Sequence, residues 1–235
     1  MNPTTRFAGA AGIASAVLLV CETGSFLLSG WSPQRFGDPV QAMALLQQGG
    51  TALRAAALFG FVGLVATTFL IVGLAAAVEE RAPNLATGTL YFGLIGIAGH
   101  SLVPLGLWTG IPAFLTMAAQ RLDTAQHAWY AFAQVSDAAH GVGSLFGGLA
   151  MLSAGAAAMA TPALSRVVGW LGLSAGALTV VTLLTVGTPL ATVGGALFIP
   201  ALALTVLFRL ASGLVLFRRS GDSRPPFAAR VAAPR

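Results

Sequence analysis

Residues 55–78 read AAALFGFVGLVATTFLIVGLAAAV, with no charged side chain from end to end. A bilayer core about 30 Å thick takes roughly 20 apolar residues as a helix, because lipid offers nothing to satisfy a free backbone N–H or C=O. This stretch passes that test between Arg54 and the Glu79-Glu80-Arg81 cluster. Five more stretches pass it on either side. The six spans cover residues 8–30, 53–78, 86–108, 128–157, 166–186 and 193–217. The expected fold class is all-α: a polytopic membrane bundle of six transmembrane helices, both termini cytoplasmic. It occupies residues 1–219 and is followed by a disordered basic cytoplasmic tail, 220–235.

The composition agrees. The chain has 235 residues, of which 8% are charged and 56% hydrophobic, with a mean hydropathy of +0.83. Soluble domains are about one quarter charged, and so few charges could not cover a soluble surface. Disorder, a secreted disulfide scaffold and a coiled coil are excluded on the same grounds, since Cys21 is the single cysteine. Pro33, Pro39, Gly49–Gly50, Pro83, Pro162, Gly187 and Pro189 punctuate the expected joints. Ala14-Ser15-Ala16 resembles a signal-peptide cleavage site. The surrounding apolar run is too long for a signal peptide and is read as a membrane helix.

All twelve cations are arginine. With both termini on one side, that side carries Arg6, Arg81, Arg166, Arg218, Arg219, Arg224, Arg230 and Arg235. The other side carries Arg35, Arg54 and Arg121. Cytoplasmic loops collect arginine, so the termini are expected to be cytoplasmic. The arginine-rich tail reads as a membrane-surface anchor, which makes lipids the expected partners and not nucleic acid. Trp31, Trp108, Trp129 and Tyr130 would form the outer aromatic belt and Trp170 the inner one. The loop 31–50 contains an amphipathic run, Val40 to Gln48, and 109–127 would lie along the interface as a half-helix. The two halves of the chain share no repeat, which argues against an inverted-repeat transporter.

Small and polar residues recur at helical spacing. Span one has Ser15, Glu22, Ser25 and Ser29; span two has Gly60, Gly63 and Thr67; span three has Thr89, Gly93, Gly96 and His100. Span four has Gln134, Asp137, Gly141, Ser144 and Gly148, and span five has Gly169, Gly172, Gly176 and Thr179. Glycines spaced as in Gly143-xxx-Gly147 and Gly172-xxx-Gly176 let helices approach closely, a structural role.

Ionisable residues inside a span cost at least about 2.5–3.5 kcal/mol each and usually face a partner. Glu22, His100, Asp137 and His140 are the candidates for catalysis. At about 1.5 Å per residue all four lie roughly 12–18 Å inside the outer ends of their spans. Pro104 cannot donate to the His100 carbonyl, which adds a free acceptor at that level. The cluster reads either as a structural lock between spans one, three and four or as a site for a small hydrophobic ligand. Glu22 could alternatively pair with Arg54. Arg209 is expected to be structural, reaching the inner interface or pairing with Glu79 or Glu80.

No cofactor is expected. Haem b would have to use His100 with His140 or His127. A carboxylate-bridged metal site would have one Asp137-x-x-His140 element where repeated ones are needed. No nucleophile elbow, zinc-protease motif or phosphate loop is present, and no lysine that could carry retinal. Two functional classes fit: an intramembrane acid–base enzyme acting on a lipid or isoprenoid-like substrate, and a proton-coupled carrier or lipid-binding module.

Residues 143–155 (GSLFGGLAMLSAG), Pro162 in the next loop, and 168–173 (VGWLGL) with Gly176 carry a resemblance. They resemble a group of uncharacterised six-helix bacterial integral membrane proteins known as a domain of unknown function. The last span, from Phe198-Ile199-Pro200 through Phe208-Arg209 to Arg218-Arg219, and the outer helix before span two are similar to that family as well. Arg209 stands where the family tends to be apolar or aromatic. The resemblance spans about half the chain and implies a multi-pass protein of the bacterial cytoplasmic (inner) membrane, with no activity attached.

Overall fold

Three prolines open three helices. Pro33, Pro39 and Pro83 each stand in the first turn, where the missing N–H has no intrahelical partner to lose. In the computed structural model, residues 3–186 and 188–219 are described. They form α1 (Pro3–Leu28), α2 (Pro33–Gly37), α3 (Pro39–Val78), α4 (Pro83–Gln120), α5 (Leu122–Ala160), α6 (Arg166–Thr185) and α7 (Ala191–Arg219). The joint at Gly187 and the basic tail 220–235 lie outside the described residues. Asp38 caps α3 by accepting from Val40 N at 2.8 Å and Gln41 N at 3.1 Å. Ser165 caps α6 by accepting from Val168 N at 3.3 Å. Gly30, at φ +74°, turns the chain after α1.

Six of the helices are long and apolar enough to cross a membrane, which makes this a multi-pass membrane protein. Each packs on its neighbours in sequence, α2 apart, and α7 returns to α1, so the six form a closed ring. The α1–α7 closure is a glycine seam. A methyl group on Gly12 would meet Gly213 Cα at 2.8 Å, and one on Gly213 would meet Ile13 N at 2.7 Å. Both helix termini lie at one end of the ring: the Arg6 guanidinium sits 5.1 Å over the Phe217 ring. Arg219 Nη2 donates to the Pro162 carbonyl at that same end, at 2.8 Å.

The helices are unequal, and this corrects two expectations. α3, with 40 residues, is about 60 Å long, twice the bilayer core, whereas α6, with 20 residues, is about 30 Å long. Gly49–Gly50 does not end a helix; both lie inside α3, because Gly49 lets the end of α1 cross closely, with Ser29 Cα only 3.1 Å from where a methyl group would be. Residues 109–127 are not an interfacial half-helix. They continue α4 and begin α5, with only Arg121 between the two. With α2, the extended parts of α3, α4 and α5 build a cap whose core holds Phe36, Leu45, Leu53, Ile111 and Trp129.

Trp129 is a further correction. It is 0% exposed and not part of an aromatic belt. Its Nε1 donates to the Phe36 carbonyl at 2.8 Å, and its ring meets those of Phe36 and Phe114 edge-on. An indole with one polar atom can be buried whole where a carbonyl waits for it. Trp108, Tyr130 and Trp170 remain exposed.

A second apolar core fills the terminal end, with Leu70, Leu74, Val78, Val168, Phe208 and Leu216. Between the two cores the buried residues are small, among them Ser15, Ala16, Thr67 and Ala139, with Gly60, Gly63 and Gly96. This middle layer holds the ionisable residues.

Candidate functional site in the middle layer

The α1–α7 seam fixes the relative height of two charges. With Gly12–Ile13 beside Gly213, Arg209 comes level with residues 16–17 of α1, and Glu22 lies about 8 Å nearer the cap. Side chains on a helix lean toward its N-terminus. α7 starts at the cap end, so Arg209 leans up; α1 starts at the terminal end, so Glu22 leans down. The two lean toward each other, and Glu22 is the carboxylate whose charge acts on Arg209.

The expected pairing of Arg209 with Glu79 or Glu80, or its reach to the terminal interface, is therefore corrected. Either would require the side chain to point against its own helix direction. The alternative partner for Glu22 is also taken: the Arg54 guanidinium lies 4.7 Å over the Trp108 ring. Glu22 instead rests on α3, where a methyl group on Gly60 would meet its Oε1 at 2.5 Å.

Among the described residues, neither Glu22 nor Arg209 makes a hydrogen bond or an ion pair within 4 Å. Both are surrounded by protein but keep part of their surface accessible. One turn further along α7, the Ser212 hydroxyl is 0% exposed and has no hydrogen-bond partner. Three polar groups in one layer thus have unmet hydrogen-bonding capacity.

His100 lies where α4 and α5 touch. A methyl group on Gly143 would meet its Cγ at 2.7 Å, so only glycine admits the imidazole there. Its Nε2 lies 3.4 Å from Ser144 Oγ, and the ring faces the Gly96 carbonyl one turn back. The Arg209 charge reaches it across the layer. Pro104 is buried one turn toward the cap.

His140 meets His100 edge to face, ring centroids 4.9 Å apart, so a macrocycle would have to separate the rings to bind between them. His140 and Asp137 are both exposed, and the Asp137 charge acts on His140. Asp137 does not join Glu22 and His100. The buried stripe of α5 runs through Trp129, Ala133, Ser136, Ala139 and Gly143, and Asp137 is one residue, about 100°, off it. Among the described residues no group of three or more His, Cys, Asp or Glu side chains is placed to hold a metal ion.

The structural glycines divide by role. Gly172 lies against Gly155 Cα at 2.9 Å and Gly176 against the Gly148 carbonyl at 2.6 Å, both measured from an added methyl group. Gly147 has nothing nearer than His100 Cε1 at 3.9 Å on its own side, but its backbone is where Gly96 makes contact. Spacing could have flagged the α1 side of the seam, since Gly9 and Gly12 stand three residues apart on one helix face. Its pairing of first and last helix could not be read from spacing.

No family model, curated protein or solved structure matches the chain.

Proposed function

We propose that this multi-pass protein sits in the bacterial cytoplasmic membrane with its termini cytoplasmic and binds a lipid or isoprenoid-like small molecule in the middle layer. The polar head lies between Glu22 and Arg209, and Glu22 exchanges a proton with it or beside it. One observation carries the reading: two opposite charges on α1 and α7 lean toward each other, and among the described residues neither side chain has a hydrogen bond of its own. An intramembrane charge without a partner is costly, and a small polar head would satisfy both. Binding, with or without transport, fits better than acid–base catalysis. His100 already has Ser144 and the Gly96 carbonyl, and Asp137 is outside the layer.

Purification in mild detergent, with an absorption spectrum and mass spectrometry of retained molecules, tests this. The expected result is a colourless protein carrying an acyl or prenyl species that is lost on Arg209→Met. An empty wild-type protein, or a Soret band, would overturn it.

A second reading is that Glu22 and Arg209 only tie α1 to α7. The glycine seam between the same helices favours it. It predicts that no molecule is retained by wild type and that replacing both charges leaves the fold intact.

A further inference from the structure

We propose that the middle layer recognises an amphiphile by a single anionic head, a carboxylate or phosphate, and that one proton enters with it. This rests on the binding reading above and names the class of ligand. Arg209 brings five N–H donors in a planar fork, none of them used among the described residues. That fork matches the paired oxygens of a carboxylate or phosphate, for which an ammonium or hydroxyl head is no substitute.

The proton follows from charge. Among the described residues, Glu22 is the carboxylate whose charge acts on Arg209, so an incoming anion would place two negative charges on one guanidinium in a medium of low dielectric. Glu22 takes up a proton from bulk solvent as the ligand enters: an O–H bond forms on its carboxyl, the ligand replaces it as counter-ion, and the net charge of the layer is unchanged. No neighbouring group is better placed. α3 presents Gly60 to Glu22, and its Arg54 is stacked on Trp108 nearer the cap. On α4, His100 is held by Ser144 and Gly96. On α5, His140 and Asp137 face outward. α6 has Arg166 as its only ionisable residue, at the terminal end. On α1 itself, Cys21 is adjacent in sequence and half-buried.

The test is calorimetry of the full chain in nanodiscs, with decanoate, decyl phosphate, decanol and acetate as probes, in two buffers of different ionisation enthalpy. At least one anionic amphiphile should bind tenfold or more tighter than decanol or acetate, and decanoate binding should take up one proton. Arg209→Met should abolish the preference over decanol. Glu22→Gln, checked for a monodisperse elution profile, should lose the proton uptake. If decanol binds as tightly as decanoate, or uptake persists in Glu22→Gln, this inference falls and the amphiphile reading stands. If acetate matches decanoate, or no amphiphile binds at all, the binding reading falls too.

Discussion

Glu22 and Arg209 act as a pair, and the energetics of buried pairs says what each substitution does. Removing one charge leaves the other uncompensated in a low-dielectric interior, typically at about 3–5 kcal/mol, while replacing both with apolar groups of similar size is often close to neutral. Glu22→Gln and Arg209→Met should each lower the thermal unfolding midpoint, and the double variant should recover most of the loss. Additive losses would show that the two do not interact. At the cap, Asp38 makes a prediction of another kind. The backbone N–H of Gln41 first, then its side chain and Val40 N–H, hold the carboxylate below its ordinary value of 3.8. A lowered value means that capping is present at and above the ordinary value and is lost as pH falls through the lowered one. Exchange of the Val40 and Gln41 amides should therefore accelerate only in that acid window, and Asp38→Asn should remove the dependence. Glu22 and Arg209 were legible in the sequence as charges that do not belong in lipid. Their partners were not: Glu22–Arg209 joins the first and last helices, a pairing that only the closure of the ring creates.

The α4–α5 seam separates a sequence pattern from the contact behind it. Gly143 and Gly147 form one small-xxx-small motif, but their missing methyl groups face different surroundings. At Gly143 a methyl group would meet the His100 ring and its backbone N at 2.7–2.8 Å, whereas at Gly147 the nearest atom is 3.9 Å away. Overpacking a tight contact costs typically about 1–3 kcal/mol. Gly143→Ala and Gly96→Ala should destabilise by that much in denaturant titration, and Gly147→Ala should be close to silent; equal effects at 143 and 147 would contradict the seam. Within the cap, Trp129→Phe removes the bond to the Phe36 carbonyl and should cost about 1–3 kcal/mol, mostly the unsatisfied acceptor. The existence of six helices was legible because each contains a long uncharged run. Their lengths were not, because residues 39–52 and 109–127 are amphipathic in the ordinary way of water-soluble helices, and only packing on Phe36 and Trp129 shows that they belong to a cap. The α5 stripe was misread for a related reason: Gln134, Asp137 and Ser144 drew the line of polar residues, while the buried line follows Trp129, Ala133, Ser136 and Gly143.

At the scale of the whole molecule, three long helices and three shorter ones share one end of the ring, so the cap can rise from one side of the membrane only. The terminal end carries Arg6, Arg81, Arg166, Arg218 and Arg219 among the described residues, and the cap carries Arg35, Arg54 and Arg121. Positively charged flanks are retained on the cytoplasmic side during insertion, so the cap should face away from the cytoplasm. The asymmetry is readable from the sequence; that the far side carries a folded cap with its own core is not. One native cysteine, Cys21, makes the sidedness measurable once it is replaced by serine. Gln48 and Ser165 are both exposed, Gln48 on the cap part of α3 and Ser165 at the start of α6 at the terminal end. In intact cells a membrane-impermeant maleimide should label Gln48→Cys and leave Ser165→Cys unlabelled until the membrane is permeabilised. The reverse pattern would place the cap in the cytoplasm, and the middle layer would then draw its proton from the cytoplasmic side, since Glu22 lies nearer the cap than Arg209 does.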